Sequence, residues 1–245
     1  MRMTTLVSEW TLALLFAAGA AIGHAQTSAA GNQPELASFP FWQQMAGCWE
    51  GDNTYFDSNM DYTVRTYNSL VKIELSGATF RETEHRFYPA GVGPSRYAKG
   101  LARPGEGVEL VVVTTGELID DAGSLGSIRM DHTALSSGPN VVYRVLSNND
   151  GVRLNTNPDT GVDTYRMYFN FITPDRRLRS NVGLYSKADE KLGGLRAFIL
   201  YRDHRIQPAT FAARRAALRQ LHNVTVINES DPEVPGQSLA RRLDD

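Results

Sequence analysis

The sequence predicts an all-β protein, a single antiparallel barrel with one C-terminal helix packed outside it. Runs rich in Val, Ile, Tyr, Phe and Thr recur over residues 62–73, 79–88, 108–118, 140–146, 163–173, 177–186 and 195–206. Turn signals separate them: Ser76-Gly77, Arg103-Pro104-Gly105, Ser137-Gly138-Pro139-Asn140, Asn149-Asp150-Gly151, Asn157-Pro158-Asp159, Thr173-Pro174-Asp175 and Gly193-Gly194. No long helical pattern interrupts the span from Trp49 to Ile206. Short strands punctuated this regularly belong to sandwiches or closed barrels. A closed barrel leaves no sheet edge exposed, and its interior can hold a ligand. Roughly eight to ten strands are expected.

The elements follow in chain order. Residues 1–25 read as a secretory signal peptide: Arg2 opens the n-region, 11–22 is apolar, and Gly23-His24-Ala25 precedes Gln26 as a small-residue cleavage site. The apolar run is too short to span a bilayer as a mature helix. The expectation is a periplasmic or secreted protein with no stable membrane insertion after signal removal. Glu9 is unusual in an n-region and leaves an uncleaved, tethered form as the alternative. Residues 26–38 are small, polar and unpatterned, which predicts a flexible mature N-terminus.

The barrel with its helix is expected over 39–228. Its lead-in, 39–45, is dense in aromatics: Phe39, Phe41 and Trp42 either edge a ligand mouth or plug one barrel end, and the plug is the simpler reading. After the last long strand, Pro208 suits a first helical position, while Phe211, Leu218 and Leu221 recur near helical spacing. Arg214, Arg215 and Arg219 then form a solvated face. Residues 224–227 add a short strand, and 229–245 read as a loose tail rich in charge, Pro and Gly.

Composition narrows the function classes. A net charge of −2 makes no electrostatic case for nucleic acid or an anionic membrane. Hydrophobic residues make up 42%, enough for a substantial core. Cys48 is the single cysteine, so no intramolecular disulfide forms. A domain of about 220 residues needs none.

Gly47-Cys48-Trp49 is similar to the Gly-x-Trp that opens the first strand of a lipocalin, and Arg202, with Arg205 as its competitor, stands in the last long strand, where that family places an arginine over the tryptophan ring. The chain therefore resembles the lipocalin-like, or calycin, barrels. The resemblance implies structural roles for Trp49, as an end plug, and for Arg202, stacked on it with a cation–π energy of about 0.5–2 kcal/mol. It also implies a small-molecule carrier, a haem-binding barrel, or one of a few isomerases, cyclases and lyases; fold alone does not choose among these.

Three strands carry the candidate chemistry. Over 79–88, alternation places Phe80, Glu82, Glu84 and Arg86 on one face and Arg81, Thr83, His85 and Phe87 on the other. Either His85 or, in the opposite register, Glu84 is the candidate acid/base residue. Over 163–173, Tyr165, Met167, Phe169 and Phe171 oppose Arg166, Tyr168, Asn170 and Ile172; over 177–186, Arg179, Asn181 and, across a bulge, Tyr185 oppose Leu178, Ser180 and Val182. Arginine and tyrosine offer directed donors beside apolar bulk, so Arg166, Tyr168, Asn170, Arg179 and Tyr185 are expected to face one cavity with His85. A one-residue slip in register exchanges the two faces.

No metal site is expected, because His85, His132, His204 and His222 are scattered without ligand spacing. No cofactor is expected either, although a lone haem ligand drawn from His85, His132 or His204 is what one branch of the resemblance implies. There is no Gly-x-Ser-x-Gly, no P-loop and no dinucleotide fingerprint. The resulting expectation is an exported barrel that binds a hydrophobic or amphipathic oxygenated small molecule. A cofactor-free lyase, isomerase or cyclase using His85 or Glu84 is the alternative.

Overall fold

The computed structural model describes residues 34–57, 65–91, 103–130, 141–156, 163–184, 195–230 and 238–243. The signal-peptide assignment therefore lies outside the described residues. A one-turn 3₁₀ segment (Leu36–Ser38) and helix α1 (Pro40–Met45) lead into ten strands. These are β1 (Gly47–Asp57), β2 (Arg65–Ser76), β3 (Thr79–Tyr88), β4 (Gly107–Leu118), β5 (Leu125–Met130), β6 (Val141–Val145), β7 (Asp150–Thr156), β8 (Asp163–Thr173), β9 (Arg176–Leu184) and β10 (Leu195–Ile206). Helix α2 (Phe211–Leu221), β11 (Val224–Ser230) and β12 (Ser238–Arg242) follow.

The strands run in the order β4-β3-β2-β1-β10-β9-β8-β7-β6-β5, and β5 pairs back onto β4 to close a ten-stranded antiparallel barrel. Strand β4 serves two partners along its length. Its first half pairs in parallel with β11, and the stretch from Thr114 to Leu118 pairs with β5. Strand β12 then extends the sheet beyond β11. The stretch expected to be a loose tail thus contributes the end of β11 and all of β12.

One end of the barrel is plugged. Leu36, Phe41, Trp42 and Met45 are buried with Trp49, Phe80, Tyr143 and Phe171. Trp42 packs 5.3 Å from Phe80 and 5.6 Å from Tyr143, and its indole N–H donates to Gly123 O at 2.7 Å. Pro40 at the first helical position starts this turn without needing a donor partner. The N-terminus expected to be flexible through residue 38 is part of the plug from Leu36 on, whose N–H donates to Gly77 O at 2.9 Å. Residues 58–64, 92–102, 131–140, 157–162 and 185–194 lie outside the described residues.

Helix α2 lies against the outer face of β2 and β3. Phe211 and Leu218 pack on Leu70, Phe87 and Val224. Leu221, expected in the apolar stripe, is exposed. The arginines are not a uniformly solvated face. Arg214 forms an ion pair with Glu50, while Arg215 and Arg219 reach under the helix to the fully buried Glu109. A buried carboxylate needs such partners, because an unpaired charge away from water is costly. Among the described residues, no helix is long and apolar enough to cross a membrane.

Candidate ligand-binding site inside the barrel

Trp49 sets the register of the inner face. Two-residue steps along β1 turn Trp49, Gly51 and Asn53 inward, and cross-strand pairing carries this phase to Val71, Ser69 and Tyr67 of β2, Glu84, Arg86 and Tyr88 of β3, and Arg205, Asp203 and Tyr201 of β10. Strand β9 follows with Arg177, Arg179 and Asn181, and β8 with Phe171, Phe169 and Met167.

Arg205, not Arg202, is the cross-strand partner of Trp49. Its guanidinium lies 4.2 Å from the indole centroid, while that of Arg177 lies 4.3 Å from it. Arg205 also donates to Ala46 O and Gln44 O at 2.6 Å, tying the plug to the last barrel strand. Gly47 adopts φ 109°, and a Cβ there would stand 2.8 Å from Arg205 Nη1. The glycine of Gly-x-Trp therefore makes room for the guanidinium. Arg202 sits at odd parity to these residues and is exposed on the outer surface. The role expected for it is filled by Arg205 and Arg177.

Above the tryptophan, the inner face holds a chain of alternating charge. Arg86 Nε donates to Glu84 Oε2 at 2.8 Å; Arg179 donates to Glu84 Oε1 at 3.2 Å and, through Nε, to Asp203 Oδ2 at 2.6 Å; Arg177 Nε donates to the same Asp203 oxygen at 2.8 Å. The Arg179 guanidinium also lies 4.2 Å from the centroid of Tyr201. Burial raises the Glu84 pKa, but Arg86 and Arg179 outweigh it and hold the carboxyl at about 2. Burial lowers the Arg177 pKa, partly offset by Asp203. Burial also pushes the Tyr67 hydroxyl well up, reinforced by Tyr201 and Tyr88, so the Tyr67 phenol acts as a neutral hydrogen-bonding group.

Beside this chain stands a set of buried polar atoms with no protein partner. Asn53 Nδ2 and Oδ1, Tyr67 OH, Ser69 Oγ, Asn181 Oδ1 and Tyr201 OH all belong to it, and all come from inward positions on β1, β2, β9 and β10. Gly51 stands next to Asn53 and Ser69 of this set. A Cβ there would collide with Asp203 Oδ1 and Ser69 Oγ and would stand 3.2 Å from Asn53 Oδ1.

The residues picked from the sequence divide across the barrel wall. Glu84 and Arg179 meet inside, 3.2 Å apart. Tyr185 lies outside the described residues. Arg166, Tyr168 and Asn170 are on the outer face of β8, because Met167, Phe169 and Phe171 take the interior beside the plug. His85 also faces out, beneath α2, with Nδ1 2.7 Å from Glu109 Oε1 and its ring 5.7 Å from Phe211. These four are not on the inner face with Arg179. His204 is exposed, and His132 lies outside the described residues. Sequence reading missed Asn53, Tyr67, Ser69, Arg86, Arg177, Tyr201 and Asp203. Stepping by two from Trp49 finds Asn53, and the same parity along β10 finds Tyr201 and Asp203.

The described residues form a closed antiparallel barrel, plugged over a Gly-x-Trp strand and followed by an external helix, which is the architecture that the resemblance to lipocalin-like barrels implied. Its inner face combines an aromatic floor with a paired charge chain and unpartnered polar atoms. No protein-family model and no curated protein matches the chain. Among solved structures it is similar to the S-type phycobiliprotein lyase CPES from Guillardia theta, at 12% identity and a TM-score of 0.44 over 72% of this chain and 95% of that one. It is also similar to a DUF3598-family protein of unknown function from Nostoc punctiforme, at 14% identity and a TM-score of 0.42 over 71% of this chain and 51% of that one.

Proposed function

We propose that this is an exported barrel that binds a small, amphipathic, oxygenated molecule within its interior. The observation that carries the reading is the set of buried, unpartnered donors and acceptors on Asn53, Tyr67, Ser69, Asn181 and Tyr201. Leaving such groups without partners costs about 1–3 kcal/mol each, and their gathering on one face points to a ligand that offers both donors and acceptors. Phe169, Phe171 and Trp49 supply apolar surface at the plugged end, which suits an amphipathic rather than a uniformly apolar molecule. Glu84 is held ionised between two arginines and His85 lies outside the barrel, so the acid/base alternative has neither of its named residues free in the interior.

Native mass spectrometry of the protein purified from its own host tests the reading. The expected result is a retained small molecule that is lost in Asn53→Leu and Tyr201→Phe. A wild-type protein that carries nothing, together with an Asn53→Leu variant of raised stability, overturns it. The same spectra test export, since a mature chain beginning at Gln26 is the expected mass.

A further inference from the structure

Among the described residues, three carboxylates are buried on the inner face: Glu82, Glu84 and Asp203. Two of them are each held by two arginines. Glu82 is not, and its Oε2 has no partner. Arg153, on β7, is the converse. It is fully buried, it donates to Tyr143 OH at 3.2 Å and Tyr165 OH at 2.6 Å rather than to a carboxylate, and its Nε has no partner. Thr114, the cross-strand neighbour of Glu82, is buried with its hydroxyl also unpartnered.

These three groups belong to one neighbourhood. The Tyr143 ring packs 5.6 Å from Phe80, and Arg153 lies 5.4 Å from the centroid of Tyr143. Glu82 is one inward step beyond Phe80 on β3, a rise of about 7 Å. Glu82 and Arg153 thus flank the same aromatic contact, one from β3 and one from β7. Glu82 is also close enough to act electrostatically on Arg153, as it is on Arg177 and Arg179.

We propose that Glu82, Thr114 and Arg153 form a second subsite that reads a carboxamide-like edge of the ligand. In it an N–H donates to Glu82 and the adjacent carbonyl oxygen accepts from Arg153 Nε. A lone anion is repelled by Glu82 and a lone cation by Arg153, whereas a neutral group with donor and acceptor side by side satisfies both. Thr114, able to donate and accept, completes the edge. The proposal rests on the reading that the barrel interior binds a small molecule.

The test is calorimetric or saturation-transfer titration with benzamide, benzoate and benzamidine. Benzamide is expected to bind the wild type more tightly than either charged analogue. Its affinity should fall about tenfold or more in Glu82→Met and in Arg153→Met, the loss of one hydrogen bond to a charged group, and less in Glu82→Gln, which keeps an acceptor. Equal affinities for the three probes, or benzamide binding unchanged in a folded Glu82→Met or Arg153→Met protein, overturns the subsite. Failure here is separable from failure of the parent reading. A native ligand retained equally by wild type and Glu82→Met removes only the subsite, whereas a wild type that retains nothing, together with a stabilised Asn53→Leu, removes the parent reading.

Discussion

Glu84 and His85 are neighbours on β3, yet they belong to two buried ion networks on opposite sides of the barrel wall. The inner network, Arg86–Glu84–Arg179–Asp203–Arg177, is drawn from three strands that are fixed relative to one another by ladder pairing. The outer network joins His85 and Glu109 on the sheet to Arg215 and Arg219 on α2. Inside, Arg177, Arg179, Glu84 and Asp203 are all nearly inaccessible. Outside, Glu109 is fully buried, but the side chains of Arg215 and Arg219 are 28% and 27% exposed. Those four inner charges therefore keep no contact with water, whereas the outer arginines do. The first network is integral to the barrel, and the second holds a helix against it.

The largest effects should come from breaking the inner network. Asp203→Ala leaves Arg177 and Arg179 short of their shared carboxylate, and removal of one member of a buried ion pair costs about 3–5 kcal/mol. Urea unfolding followed by tryptophan fluorescence measures this. A loss below about 1 kcal/mol would show that the two arginines find other partners. Trp49→Ala should cost a comparable 3–5 kcal/mol, as for other large aromatic truncations, because it removes the surface on which Arg177 and Arg205 stack. Gly51→Ala should follow at about 1–3 kcal/mol through overpacking, since its methyl group meets Asp203 and Ser69.

The outer network should respond more gently. Glu109→Gln is expected to cost about 1–3 kcal/mol, with the lower end favoured because its two arginines are partly solvated. Acid sharpens the contrast. Glu84 and Glu109 both titrate at about 2 in the folded protein, against 4.5 for an unperturbed carboxyl. The unfolded chain therefore takes up their protons first. The stability they contribute is complete above about pH 4.5 and is lost as pH falls toward 2. Unfolding midpoints measured between pH 6 and pH 2 should fall steeply for the wild type and less steeply for Glu109→Gln, which has already lost one of the two contributions. Identical slopes would mean that the Glu109 pKa is not lowered on folding.

Much of the fold was legible because strand ends carry local chemistry. The runs at 79–88, 163–173 and 195–206 coincide with β3, β8 and β10, each bounded by Gly, Pro or Asp signals. Strands β5 and β7 were not. Leu125–Met130 is short, and Asp150-Gly151, which reads as a turn, instead opens β7 as Gly151 clears space for Phe41. The site was less legible because adjacent strands reverse polarity. Strand β8 turns Met167, Phe169 and Phe171 inward and Arg166, Tyr168 and Asn170 outward, while β9 turns Arg177 and Arg179 inward and Leu178 and Val182 outward. No single rule of polar-in or polar-out places both. Only the pairing through Trp49 fixes the phase, and that is a tertiary fact.

The smallest expected effect tests that phase directly. Arg202 and Arg205 are three residues apart on one strand, so alternation sends them to opposite faces. Arg205 stacks on Trp49 and holds two carbonyls of the plug; Arg202 is exposed beside Leu178 on the outer surface. Arg202→Ala should change stability by no more than about 0.5 kcal/mol, the range of an ordinary surface substitution. Arg205→Ala should cost about 1–3 kcal/mol, because the carbonyls of Gln44 and Ala46 lose their donor. Indole fluorescence adds a readout that stability lacks. The Trp49 ring lies between two guanidinium groups, and deleting Arg205 should shift its emission while deleting Arg202 leaves it unchanged. If Arg202→Ala proved the costlier of the two, the inward and outward faces of β10 would have to be exchanged. Asp203 and Tyr201 would then leave the interior, and the ligand site would leave with them.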